Sequence, residues 1–163
     1  MDDAAVLELL AQQGFEPVDP QRRVTWVLRL PDGGHHAVSR LGQGWYSLYL
    51  CFPRHDVTRR VARLWGLEHG DLEQMLAPAG FHRSGGAAWV RETARCVEAV
   101  YGYLTKAVVF LEAQADQLPA LLDAALGPLP AVTSASPPPA RPAPVRTSSR
   151  AREPQAQQVR LEL

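Results

Sequence analysis

Residues 23–52, RVTWVLRLPDGGHHAVSRLGQGWYSLYLCF, decide the fold. In 23–30, Val24, Trp26, Leu28 and Leu30 fall on one side, and Arg23, Thr25, Val27 and Arg29 on the other. Alternation with period two is the mark of a half-buried strand. Pro31-Asp32-Gly33-Gly34 turns the chain into a second strand over 35–41, and Gly42-Gln43-Gly44 turns it into a third over 45–52. Turns this short join antiparallel neighbours, so the stretch reads as a three-stranded meander. Its third strand presents Tyr46, Leu48, Leu50 and Phe52 to the core, with Trp45, Ser47, Tyr49 and Cys51 on the opposite face.

Outward from the meander the pattern changes to helical spacing. Asp2 or Asp3 can cap a helix carrying Val6, Leu9, Leu10 and Gln13, which stops at Gly14. Within 58–81, Val61, Ala62, Leu64 and Trp65 form one helix face, Gly66 supplies a bend, and Asp71 caps a second helix through Leu72, Met75 and Leu76 that ends before Pro78. Residues 81–84 and 88–92, joined by Ser84-Gly85-Gly86, suggest a short hairpin. Stretches 95–103 and 105–112 favour strands by their Val, Tyr and Phe content, yet their spacing also suits one long helix. Asp116 starts a closing helix through Leu118, Leu121, Leu122 and Leu126, stopped by Gly127-Pro128, with Pro119 tolerated in its first turn. No internal repeat stands out. The sum is an α+β domain over 1–130: N-terminal helix, three-stranded antiparallel meander, helical pair, further strands and a closing helix.

Beyond it, 131–157 (AVTSASPPPARPAPVRTSSRAREPQAQ) has no aromatic residue and too few large aliphatics for a core. It reads as a disordered tether, spanning roughly 30 Å as a coil and roughly 80 Å as polyproline II. The last six residues, Gln158-Val159-Arg160-Leu161-Glu162-Leu163, place Val159, Leu161 and Leu163 on one side of an extended peptide and Arg160 and Glu162 on the other. They resemble the Gln-Leu-x-Leu-x-Leu peptide by which bacterial polymerases and repair factors hold the sliding clamp, departing from it at Val159. That resemblance implies a clamp-binding hook made of Gln158, Val159, Leu161 and Leu163, on an accessory factor of DNA replication or repair.

Charge and chemistry narrow the rest. Lys plus Arg equal Asp plus Glu at 17 each, but the tail from Ala131 holds Arg141, Arg146, Arg150, Arg152 and Arg160 against Glu153 and Glu162. The body is therefore mildly acidic, poor material for nonspecific duplex binding, which runs on phosphate neutralisation. Cys51 and Cys96 lack metal-ligand spacing and the N-terminus lacks a signal segment, which points to a reducing cytoplasm. No run approaches membrane-spanning length. The five histidines never reach a zinc spacing, no phosphate loop or nucleophile elbow occurs, and Glu92, Glu98 and Glu112 stand singly. A non-enzymatic protein with no metal or cofactor is expected, its body meeting DNA or another replication or repair protein; its oligomeric state is open.

Two segments carry candidate nucleic-acid contacts. Ala62, Gly66, Leu67, Leu72, Leu76, Gly80 and Phe81 resemble the helix-turn-helix of Fis-type DNA-binding domains, which implies phosphate contacts from Arg59, Arg60 and Arg63. The helix that would read bases offers Asp71, Glu73 and Gln74 instead of cations. On the meander, Arg23, Arg29, Trp45 and Tyr49 would suit single-strand stacking if the strands bring them together. The element order also resembles type III secretion chaperones in outline, which implies a dimeric protein-binding module. A DNA-binding regulator and such a module are the alternatives to the clamp-held factor.

Overall fold

Period-two alternation extends over far more of the chain than residues 23–52. The computed structural model describes residues 1–129. In chain order they form α1 (Asp3–Gln12), β1 (Glu16–Pro17), β2 (Thr25–Arg29), β3 (His35–Gly42), β4 (Trp45–Pro53), α2 (Val57–Trp65), α3 (Leu72–Leu76), β5 (His82–Ser84), β6 (Ala88–Glu92), β7 (Val97–Gly102), β8 (Lys106–Gln114) and α4 (Leu118–Leu126). The tether and the hook lie outside the described residues.

The expected α+β arrangement is overturned. All eight strands belong to one antiparallel sheet, in the order β1-β2-β3-β4-β8-β7-β6-β5, and the four helices are short. The meander is not a separate unit, because its last strand pairs along its whole length with β8, from Trp45↔Gln114 to Pro53↔Lys106. The sequence hid this for a physical reason. A central strand, covered on both sides by its own neighbours' side chains, carries apolar residues on both faces, and β8 (KAVVFLEAQ) reads as an undivided run that periodicity cannot assign.

Helices cover one face of the sheet. Val6 and Leu10 of α1, Val57, Val61 and Leu64 of α2, Leu76 of α3, and Leu118 and Leu122 of α4 pack with Trp26, Val38, Tyr46, Leu48, Leu50, Trp89, Val100, Val109 and Leu111 in a single core. Local chemistry sets the helix ends. Asp2 caps α1 by accepting from Ala5 N at 2.8 Å, Asp71 caps α3 by accepting from Gln74 N at 2.8 Å, and Gly66 ends α2 in a left-handed conformation. No helix among the described residues is long and apolar enough to cross a membrane.

The strand order is a palindrome, and it reveals a duplication that the sequence did not show. Helix, four-strand meander, helix occurs twice: α1-β1-β2-β3-β4-α2, then α3-β5-β6-β7-β8-α4. The match extends to single hydrogen bonds. Phe15 N donates to Leu10 O at 2.9 Å after Gly14 (φ 84°), as Phe81 N donates to Leu76 O at 3.0 Å after Gly80 (φ 88°). Arg40 N bonds Val24 O as Gly102 N bonds Ala87 O, and Arg54 N bonds Thr105 O as Ala115 N bonds Gly44 O. Trp26 and Trp89 occupy the same core position, as do Val38 and Val100, and α2 and α4 match residue for residue from Val57 and Leu118 to the closing Gly66 and Gly127. The two halves meet at the Tyr49↔Phe110 pair, about which the sheet is symmetric.

Candidate functional site

No helix among the described residues lies on the second face of the sheet. Alternation sends Tyr49 and Cys51 of β4, Val108 and Phe110 of β8, and Val97, Ala99 and Tyr101 of β7 there, and register sets Ala37, Tyr49, Phe110, Ala99 and Val90 in one row across five strands. Cys51, Ala99 and Val108 are buried yet stand outside the core cluster, because their neighbours on this face shield them. Around them Tyr49 is 37 % exposed, Tyr101 40 %, Val97 46 % and Tyr103 59 %, with Leu104 at the rim 92 % exposed. Grouped apolar exposure is common to interaction surfaces, whereas single exposed apolar residues are ordinary. A hollow of about 270 Å³ opens on this face among Gly34, Tyr49, Cys51, Tyr103, Lys106 and Val108.

Its polar groups are mixed. Lys106 donates to Asp32 O at 3.2 Å and lies 3.4 Å from the Asp32 carboxylate, which the Gly34 N–H holds below the usual carboxylate range. Arg29 is exposed at the end of β2, while Glu92 and Glu112 make no ion pair among the described residues. A nucleic-acid backbone would meet these carboxylates unfavourably, and a protein surface would not.

The candidates named from sequence divide accordingly. Arg29, Trp45 and Tyr49 do share this face, but β3 separates the arginine from the rings. Trp45 lies under Arg95, whose guanidinium is 4.0 Å from the ring centre, and Tyr49 stacks on His35 at 5.2 Å. Arg23 falls outside β2, at φ 46°, with its Nε donating to Pro20 O at 3.3 Å. Of the cations on α2, Arg59 pairs with Asp56 at 2.7 Å. Arg60 donates to the carbonyls of Ala124 and Gly127, and Arg63 to Pro128 O at 2.8 Å, so both hold the C-terminal end of α4. Helix α3 has five residues, and the Leu76-Gly80-Phe81 turn that carried the helix-turn-helix likeness has its twin in Leu10-Gly14-Phe15. Gln158, Val159, Leu161 and Leu163 lie outside the described residues.

Sequence reading missed Tyr101, Tyr103, Val108 and Phe110, because 95–112 stayed undecided between strand and helix. The alternation Val97, Ala99, Tyr101, Tyr103 against Glu98 and Val100 was the available signal. Among the described residues no group of three His, Cys, Asp or Glu side chains could hold a metal ion. The chain matches no known protein family, characterised protein or solved structure. The functional reading therefore rests on its own residues.

Proposed function

We propose that the protein is a non-enzymatic accessory factor of bacterial DNA replication or repair, held on the sliding clamp by Gln158–Leu163 while its body engages a second protein. The observation that carries the body's part is the sheet face that bears no helix among the described residues, where Tyr49 and Tyr103 line a hollow and Tyr101 stands exposed on the same face. Aromatic side chains on a rigid sheet, with both signs of charge beside them, are the composition of a protein interface. The hook supports the clamp assignment by its pattern alone: the glutamine supplies hydrogen bonds and the alternating apolar groups supply burial. The DNA-regulator reading has less behind it, since Arg60 and Arg63 bond α4 and the unpaired carboxylates Glu92 and Glu112 lie on the face that would stack bases.

Titration of the full chain against purified clamp tests the reading. Leu161→Ala with Leu163→Ala should remove roughly 3–6 kcal/mol of apolar transfer energy if both side chains are buried, which abolishes binding, while the body stays folded. Arg160→Ala and Glu162→Ala should change little. Undetectable clamp binding by the unaltered chain contradicts the assignment, whatever the sheet face does.

A further inference from the structure

The duplicated halves differ most at one place on the helix-covered side. In the first half the cross-strand pair Arg40↔Tyr46 fills the space under α1: Tyr46 is buried, its hydroxyl donates to Asp3 at 3.0 Å, and Arg40 pairs with the same carboxylate. The equivalent pair in the second half is Gly102↔Ala107. Helix α3, the counterpart of α1, is half its length, and its first-turn acid, Glu73, faces Arg83 at 4.0 Å and has no tyrosine to accept from. What remains is a cleft of about 750 Å³ floored by the buried Trp89 and Ala107, walled by Leu72, and mouthed by two cations, Arg54 and Arg83, and two acids, Asp71 and Glu73. Interiors close-pack, so a position filled by Tyr46 in one half and by no side chain larger than Ala107 in the other is informative about what belongs there.

We infer that this cleft is a binding site for a small molecule carrying one aromatic ring and an anionic group, an aromatic carboxylate being the simplest case. The ring takes the place that Tyr46 occupies in the first half, against Trp89 and Ala107. The anion meets Arg54, whose counterpart beside the space under α1 is Ala115; Arg54 makes no ion pair among the described residues and donates to Tyr103 O at 3.0 Å. Arg83, stacked 5.2 Å from the Trp89 ring centre and only 4.0 Å from Glu73, flanks the same mouth. The volume lies within the range of small-molecule sites, and the mixed lining offers a ring a face at Trp89 and an anion a cation at Arg54. This site is separate from the open sheet face and does not depend on the clamp assignment.

The probe is 4-hydroxyphenylacetate, titrated into the ¹⁵N-labelled full chain, with p-cresol and acetate as the ring and the anion alone. Saturable shifts of the Trp89 indole and of the Gly86–Trp89 and Gly102 amides are expected, with a dissociation constant of about 1 mM or below. Arg54→Ala should weaken binding about tenfold. Ala107→Tyr, which rebuilds the plug of the first half, should abolish it with the rest of the spectrum unchanged; Ala107→Leu serves the same purpose should the tyrosine fail to fit. Acetate should not bind, and p-cresol should bind more weakly than the acid. Absence of saturable shifts, shifts that survive both filling substitutions, or binding by an acidic aromatic peptide but not by the free acid would each overturn the assignment.

Discussion

The first half of the sheet is plugged and the second is open, although the same helix, meander and helix build both. Under α1 a tyrosine, an arginine and an aspartate close the space; under α3 a glycine, an alanine and a shortened helix leave it empty. A second contrast lies one row away. His36, buried on β3 beside Leu28, is held neutral by that burial, whereas its counterpart Glu98, beside Arg91, pairs with that arginine, which also donates to Ala79 O at 2.7 Å. One backbone thus accepts an apolar solution or an ionic one at the same position. Equal folds fix where side chains point, and the side chains then decide which half can take a guest.

Removing the plug should erase the difference. Tyr46→Ala deletes a buried ring and its bond to Asp3, and a loss of about 3–5 kcal/mol in urea unfolding is expected. A loss below about 1 kcal/mol would mean that the first half is not tightly packed there. The histidine gives the next effect. Burial first, then repulsion from Arg60 and His35, lowers His36 to about 4 from 6.5, with Asp32 opposing. The native state stays unprotonated between those values while the unfolded chain takes up a proton, so stability falls as pH drops from about 6.5 to about 4, by up to about 3 kcal/mol. Replacement by glutamine should flatten that slope, measured by urea unfolding across the same pH range. The smallest effect tests equivalence itself. Gly14 and Gly80 share a left-handed backbone, and an added Cβ would meet only Leu28 or Arg91, each at 3.5 Å. Alanine at either should therefore cost a similar amount, about 1–2 kcal/mol, and unequal costs would separate the halves.

Much of the first half was legible in the sequence, because the glycine turns at 31–34 and 42–44 separate its strands and polar residues mark one face: Trp26 and Leu28 against Thr25 and Arg29, Tyr46 and Leu48 against Ser47. Asp2, Asp71 and Gly66 marked helix ends through capping chemistry that acts within a few residues. The single eight-stranded sheet was not legible, since the β4–β8 pairing joins segments far apart in the chain and β8 shows no alternation of polarity. The duplication stayed hidden because its identities are few, the Gly-Phe, Trp-Val and Ala-Val pairs being the longest, and turns of unequal length shift the spacing between them. For the same reason neither the aromatic face nor the cleft could be foreseen: each needs β7 set beside β8, and the cleft is defined by what Gly102 and Ala107 lack. The hook rests on its own alternation alone and lies outside the described residues.

The most direct measurement of the account's central claim is the urea unfolding midpoint of Ala107→Tyr. If the second half is the first half with its plug removed, the new ring enters prepared space and raises stability, by about 0.5–2 kcal/mol. If position 107 is instead an ordinary close-packed core site, the same ring overpacks it, and a loss of about 1–3 kcal/mol would contradict the account.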